Sequence, residues 1–129
     1  RHPSKGAWPL STRAHGWPIS DCTSEGLKGA LACEAVGDEA SAPLDQRIDD
    51  RRLQDAIDII MSYQNADDGG FPTYELKRPD EWLEILNPAE AFARIMVDYS
   101  YAELTSACIQ AICAFRRRKS SMLSCTPDM

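Results

Sequence analysis

The sequence predicts an all-helical protein, and three observations support that class. Residues 49–64 carry apolar side chains at the three- and four-residue spacing of one helix face. Residues 101–117 repeat that spacing. No segment alternates apolar and polar residues strongly enough to compete as a strand.

The segment from about Asp49 to Gln64 has the clearest helical pattern. Leu53, Ile57 and Ile60 form one apolar stripe, and charged residues occupy the opposite face. This division is typical of a helix that packs on a core along one side. The sequence therefore predicts an amphipathic helix here.

A second amphipathic helix is predicted from about Tyr101 to Arg117. Its stripe consists of Leu104, Ala107, Cys108, Ala111, Ile112 and Phe115. Residues 119–129 show no such period and are expected to form a divergent, disordered tail. The chain is thus divided into residues 1–118 and this tail.

Two further helix starts are predicted from capping chemistry. Asp21 and Thr23 are both plausible N-caps of a short helix that ends near Glu34, although Gly26 weakens its intrinsic stability. The segment 87–90, Asn-Pro-Ala-Glu, combines an N-cap Asn, a Pro at the first position and a Glu at the third. A helix is expected to follow it.

The remaining segments are predicted to be irregular connections. Residues 37–47 form a loop, and residues 65–72 form a turn rich in Asp and Gly. Residues 1–20 are expected to be irregular but ordered, because the large rings of Trp8 and Trp17 have to be covered. Connections this long between three or four helices are unusual in a complete helical domain, so we expect part of a larger fold.

Charge and cysteine content exclude several classes of protein. The net charge of −6 argues against nucleic-acid binding, which depends on Lys and Arg neutralising phosphates. The five cysteines are odd in number and lack zinc-ligand spacing, which favours free thiols, and we expect neither a metal nor a cofactor. No apolar run approaches the 18 or so residues of a membrane-spanning helix.

Two positions stand out as candidates for chemistry. Asp21 is followed by Cys22, Thr23, Ser24 and Glu25. Its ordinary interpretation is a helix cap, but a carboxyl group at a helix start beside a thiol can also be tuned as an acid. Tyr74 is either a core ring or part of a cavity wall. Local patterns leave both questions open.

Six segments taken together resemble the oxidosqualene cyclase family. They are Gly-Ala-Trp-Pro-Leu-Ser-Thr at 6–12, Ala-His-Gly-Trp-Pro-Ile-Ser-Asp-Cys-Thr-Ser-Glu at 14–25, Gln-Asn-Ala-Asp-Asp-Gly-Gly at 64–70, Thr-Tyr-Glu at 73–75, Trp-Leu-Glu-Ile-Leu-Asn-Pro-Ala-Glu at 82–90 and Asp-Tyr-Ser-Tyr-Ala-Glu-Leu-Thr-Ser-Ala at 98–107. The resemblance extends over about residues 5–118. It implies a partial α/α barrel from a terpene cyclase-like toroid, and only a small part of a whole enzyme.

The resemblance also implies roles for an acid group. Family members protonate the epoxide of 2,3-oxidosqualene and cyclise the polyene to a sterol or triterpene skeleton. Asp21 matches the acid, Cys22 matches a thiol that hydrogen-bonds to it, and Glu25 matches a glutamate that assists reprotonation. An epoxide oxygen is a weak base, so the reaction needs a strong, positioned acid.

The same resemblance implies a substrate cavity. Tyr74 matches an aromatic cavity residue, and His15 and Ile19 match positions that steer the product, as in cycloartenol-forming members. Leu10 stands where the family has an aromatic ring, and Leu104 stands where it has a second thiol. Cys108, one helical turn after Leu104, is a candidate substitute for that thiol.

These departures keep alternatives open. One is a truncated or decayed copy without catalysis, and another is a helical scaffold that binds a hydrophobic ligand or a partner. For a full-length family member the resemblance implies an intracellular enzyme at the endoplasmic reticulum membrane or the lipid-droplet surface, whose membrane-docking segment is not in this chain. The sequence does not decide the product.

Overall fold

Among the residues that the structure describes, three α-helices and one 3-10 helix make up the regular structure. The computed structural model describes residues 4–12, 14, 16–39, 48–91 and 93–124. Helix α1 spans Ser20–Glu39, α2 spans Asp50–Ser62, the 3-10 helix spans Glu81–Leu86, and α3 spans Ala102–Ser124. The part of the chain described here contains no strand, only an isolated bridge between Pro9 and Pro18, so the all-helical class is confirmed.

Helix α2 forms where its apolar stripe predicts it. The Asp49 carboxylate accepts a hydrogen bond from the Arg51 amide and caps the first turn. At the other end, the Tyr63 amide bonds back to the Ile60 carbonyl. The stripe residues Leu53 and Ile60 are fully buried, so burial of this face fixes the helix.

The core lies where α1 packs against α3, with α2 resting on both. Its buried members are Leu27, Leu53, Ala56, Ile57, Ile59, Ile60, Tyr63, Phe71, Cys108, Ala111 and Phe115. All three α-helices contribute to this cluster, and Phe71 joins it from the turn after α2. The turn is therefore part of the core as well as a connection.

Helix α3 continues beyond the end predicted from the sequence. Residues 119–124 are helical, which corrects the expectation of a disordered tail for that stretch; residues 125–129 lie outside the described residues. Arg118 explains the extension. Its guanidinium lies 2.7 Å from Glu34 of α1 and 2.7 Å from Asp50 of α2, so it anchors the far half of α3 to both other helices.

The helix expected after Asn87 is not found in residues 88–91 and 93–100, the part of this segment that the structure describes. The Asn87 side chain accepts a hydrogen bond from the Ala89 amide, as a cap does, but no helix follows. The three amides of residues 95–97 bond instead to the carboxylate of Glu84 at 3.1 Å each. Because a helix needs those donors for its own carbonyls, this capture keeps the segment irregular.

The N-terminal segment lies on α1 and α2 through two close approaches. The ring of Trp8 lies against Gly26 so closely that a Cβ there would come within 2.6 Å of it. Gly6, at φ +87°, lies against the backbone of Asp55. Trp8 and Trp17 nevertheless remain partly exposed, which corrects the expectation that both rings are covered.

Among the described residues, no helix combines the length and the apolar character needed to cross a bilayer.

Candidate acid site

Asp21 lies in the first turn of α1, half-buried, rather than at the cap position. Its Oδ1 accepts a hydrogen bond from the Cys22 amide at 2.6 Å. Burial raises the pKa of the Cys22 thiol, and the charge of Asp21 and a hydrogen bond to its carboxylate raise it further. The thiol therefore stays protonated beside the Asp21 carboxylate.

Ser20, directly before Asp21, joins this helix start to the segment that carries Tyr74. The Ser20 amide donates to the Thr73 carbonyl at 3.0 Å, and the Ser20 hydroxyl donates to the Pro72 carbonyl at 2.5 Å. Asp21 and Tyr74 are each one residue from the Ser20–Thr73 bond. The fold thus brings together two candidate residues that are 53 positions apart in the sequence.

Cys108 lies beneath the same helix start but serves a different group. Its buried thiol accepts from the Ser24 hydroxyl at 3.3 Å and donates to the Ser20 carbonyl at 3.9 Å. Burial raises its pKa, and the charge of Asp21 adds to that rise. The charge of Asp21 thus acts on Cys108. The Cys108 thiol itself is hydrogen-bonded to the Ser20 carbonyl, directly before Asp21, and to the Ser24 hydroxyl. Leu104 is half-buried one turn earlier on α3.

Glu25 lies at the surface, one helical turn after Asp21. Its carboxylate forms an ion pair with Lys28 at 2.7 Å, and most of the Glu25 side chain is in contact with solvent. Residues four apart share a helix face, so Glu25 lies on the same face of α1 as Asp21.

The candidate cavity residues differ widely in their exposure to solvent. Ile19 is 2% exposed and belongs to the core, whereas Leu10 is 60% exposed and far from covered. Tyr74, at 40% exposure, borders an open groove of about 340 Å³ together with Tyr101, Ile95 and Met96. His15 lies outside the described residues.

Comparison with known proteins decides which family this arrangement represents. No model of a known protein family matches the chain. The chain is 52% identical over 117 residues to a cycloartenol synthase of Dictyostelium discoideum, a match that covers 91% of this chain and 16% of the relative. The chain belongs to the oxidosqualene cyclase family. Lanosterol synthases of Pneumocystis carinii and Homo sapiens are 49% and 43% identical over 116 and 118 residues, which is 90% and 92% of this chain and 15% of each relative.

The chain therefore spans about one sixth of the length of the cyclases that it matches. The cyclase relatives support the expected fragment of an α/α toroid. In this chain, apolar side chains are exposed at Leu10 and Trp17 and along the 3-10 helix.

Several cyclase motifs hold one another through hydrogen bonds that the sequence does not reveal. The Thr23 hydroxyl accepts from the Trp8 amide at 3.1 Å, which links the first two motifs. The Asn65 side chain donates to the Ser100 hydroxyl, which donates in turn to Asp68, both at 2.9 Å. Asp68 also accepts from the Gly70 amide, and this bond and that of Ser100 lower its pKa. The order of these motifs along the chain is therefore matched by direct contacts between them in the fold.

The four described cysteines, Cys22, Cys33, Cys108 and Cys113, are free thiols, as the sequence predicts. Cys125 lies outside the described residues.

We expect the stability of this segment to fall in alkaline solution. Burial is the main cause that raises the pKa of Cys22 and Cys108 above 9.0 and of Tyr63 and Tyr101 above 10.0. Below these ordinary values both the folded and the unfolded chain keep the protons. Above them the unfolded chain ionises first, so the stabilisation is lost as the pH rises through the folded pKa values.

Urea titration at about pH 8 and about pH 10.5 measures this loss, and the midpoint is expected to fall at the higher pH. Tyr63→Phe removes one of the four groups and is expected to reduce the difference. An equal midpoint at both pH values would contradict the prediction.

Proposed function

We propose that this chain supplies the acid end of an oxidosqualene cyclase that converts 2,3-oxidosqualene to a sterol or triterpene skeleton. Asp21, in its protonated form, donates its proton to the epoxide oxygen. The carbon–oxygen bond breaks, the oxygen becomes a hydroxyl, and the electron-deficient carbon is attacked by the neighbouring double bond. The observation that carries the proposal is the placement of Asp21 in the first turn of α1, where its carboxylate accepts from the Cys22 amide, in a chain 52% identical to a cycloartenol synthase.

The surroundings of Asp21 support this role. Its carboxylate accepts a hydrogen bond from the Cys22 amide, which holds the side chain at the helix start. Glu25, exposed one turn away, is suited to return a proton from solvent to Asp21. Tyr74 offers a ring face, and such faces stabilise cations by about 0.5–2 kcal/mol without trapping them as nucleophiles do.

Ile19 and His15 remain proposed as product-steering positions. Leu10 and Leu104 remain proposed as cavity positions with altered side chains: Leu10 lacks the aromatic face, and Leu104 lacks the donor of a second thiol.

An alternative, a decayed copy without catalysis, is favoured by one observation. The thiol of Cys108 donates to the Ser20 carbonyl, so it does not replace the donor missing at Leu104. The acid is then supported by one thiol. A hydrophobic-ligand or partner-binding scaffold is the third candidate, and the exposed apolar side chains favour it.

The membrane association and location of the complete enzyme are also proposals. A thirty-carbon polyene partitions strongly from water into lipid, so its cyclase is expected to act at a membrane or lipid-droplet surface, with the endoplasmic reticulum as the expected site. The docking segment is expected outside this chain.

A graft tests the proposed function. In this graft, the matched segment of the full-length Dictyostelium relative is replaced by the corresponding residues of this chain. We expect the purified graft to convert 2,3-oxidosqualene in detergent to cyclised products. The isolated 129-residue chain is expected to make none, because three short helices do not enclose a substrate of thirty carbons. A soluble, folded graft without product would favour the decayed copy.

A further inference from the structure

Asp98 makes contacts that the acid chemistry does not explain. One oxygen of its carboxylate accepts from the Thr73 amide at 2.9 Å, and the other accepts from the Tyr74 and Glu75 amides at 2.5 and 3.1 Å. Three consecutive backbone donors therefore converge on one carboxylate. Hydrogen bonds to an ionised acceptor are about twice as strong as neutral ones.

This carboxylate fixes a segment that otherwise lacks regular structure. Residues 73–75 belong to no helix or strand. Their other described anchor is the Ser20–Thr73 bond, which ties them to the start of α1. Asp98 and Ser20 thus hold the Tyr74 backbone from two sides, and only Ser20 belongs to the acid-bearing helix.

The groove beside Asp98 and residues 73–75 indicates which side chain these contacts position. Tyr74, Tyr101 and Asp98 all line it. Burial, with a smaller contribution from the charge of Asp98, raises the pKa of the Tyr101 phenol, so the Tyr101 ring stays neutral. A rotation of the 73–75 backbone would move the Tyr74 ring relative to Asp21.

We propose that Asp98 is a positioning residue: its carboxylate clamps residues 73–75 so that the Tyr74 ring keeps a fixed place relative to the acid Asp21. The inference rests on the proposed function, because only cyclisation of the substrate would form a cation near the Tyr74 ring. Asp98 itself does not touch the substrate in this scheme. Its effect is on which cation is stabilised, and therefore on which products leave the enzyme.

Asp98→Asn in the graft is the test. An amide retains one oxygen and presents an NH2 group where the other accepted, so it opposes one or two of the three backbone donors. We expect hydrogen exchange of a peptide covering residues 72–76 to accelerate about tenfold or more, as lost amide protection predicts. We expect the product mixture to shift in the same direction as in Tyr74→Ala.

Two controls separate positioning from general instability. Asp98→Glu keeps the carboxylate and is expected to restore part of the parental product ratio. Asp80→Asn changes an aspartate whose side chain makes no capping hydrogen bond, and is expected to leave both readouts unchanged. Because product ratio does not depend on the amount of folded enzyme, a small soluble fraction of Asp98→Asn is sufficient.

A parental product ratio in Asp98→Asn, or unchanged exchange over residues 72–76, would overturn the positioning role even if turnover falls. A graft that folds but forms no product with Asp98 intact would instead overturn the proposed function. In that case the exchange measurement still decides whether Asp98 clamps the segment.

Discussion

Asp21→Asn in the graft is expected to lower the rate of epoxide opening by at least about 10²–10⁴-fold, the usual contribution of a positioned general acid. An amide has nearly the shape of a carboxyl group but no acidic proton to give. Cys22 does not replace it, because burial and the charge of Asp21 raise the pKa of its thiol above that of an ordinary cysteine. Turnover is measured from the cyclised products formed per mole of folded enzyme.

The matched control for this change is Asp67→Asn. Asp67 is an exposed aspartate of the turn after α2, where it accepts from the Asp68 amide and lies near Lys77. We expect its replacement to leave turnover within about twofold of the parent, because surface pairs of this kind contribute little. Full turnover in Asp21→Asn would show that another group protonates the epoxide and that the roles of Cys22 and Glu25 need reassignment.

Leu27→Ala is expected to destabilise the fold by about 2–5 kcal/mol, the range for large-to-small changes in a packed core. Leu27 is 0% exposed and reaches from α1 into the cluster shared with α2 and α3. Whole domains are stable by only about 5–15 kcal/mol, and this segment leaves many apolar side chains uncovered. We therefore expect Leu27→Ala in the 129-residue chain to lack a cooperative thermal transition.

Val36→Ala is the control on the same helix. Val36 is 66% exposed, so its truncation is expected to change the free energy of unfolding by less than about 0.5 kcal/mol. Circular dichroism melts of the parent and both variants make the comparison. Equal losses in the two variants would mean that the α1–α3 interface is not packed as the structure describes.

The elements that the sequence predicted well are those with strong local periodicity. Leu53, Ile57 and Ile60 are enough to place α2, because its apolar stripe and its Asp49 cap agree. Two other elements were mispredicted because distant groups compete with local signals. Glu84 captures the amides that a helix after Asn87 would need, and Arg118 extends α3 by anchoring it to Glu34 and Asp50.

In the candidate site, too, the sequence indicates the residues that share a local motif but not those whose partners are distant in sequence. Asp21 and Cys22 are neighbours in the chain, so a local motif is sufficient to propose them together. The side chains of Ser20 and Asp98 form hydrogen bonds with backbone groups of residues 72 and 73, which are distant in sequence. A lone serine or aspartate gives no local sign of such a partner. The Asp-Tyr pair at 98–99 is part of a segment that resembles the family, but that resemblance does not predict that the Asp98 carboxylate accepts hydrogen bonds from the amides of residues 73–75.

The hydrogen bond between the Ser20 amide and the Thr73 carbonyl has an evolutionary consequence. It joins main-chain atoms, which every residue type except proline at the donor position supplies. Substitutions at Ile19 or Tyr74 therefore leave in place the hydrogen bond that joins the start of α1 to the segment that carries Tyr74. Under the proposed function, a lineage is free to change these two side chains, and with them its cyclisation products, while Asp21 keeps its place.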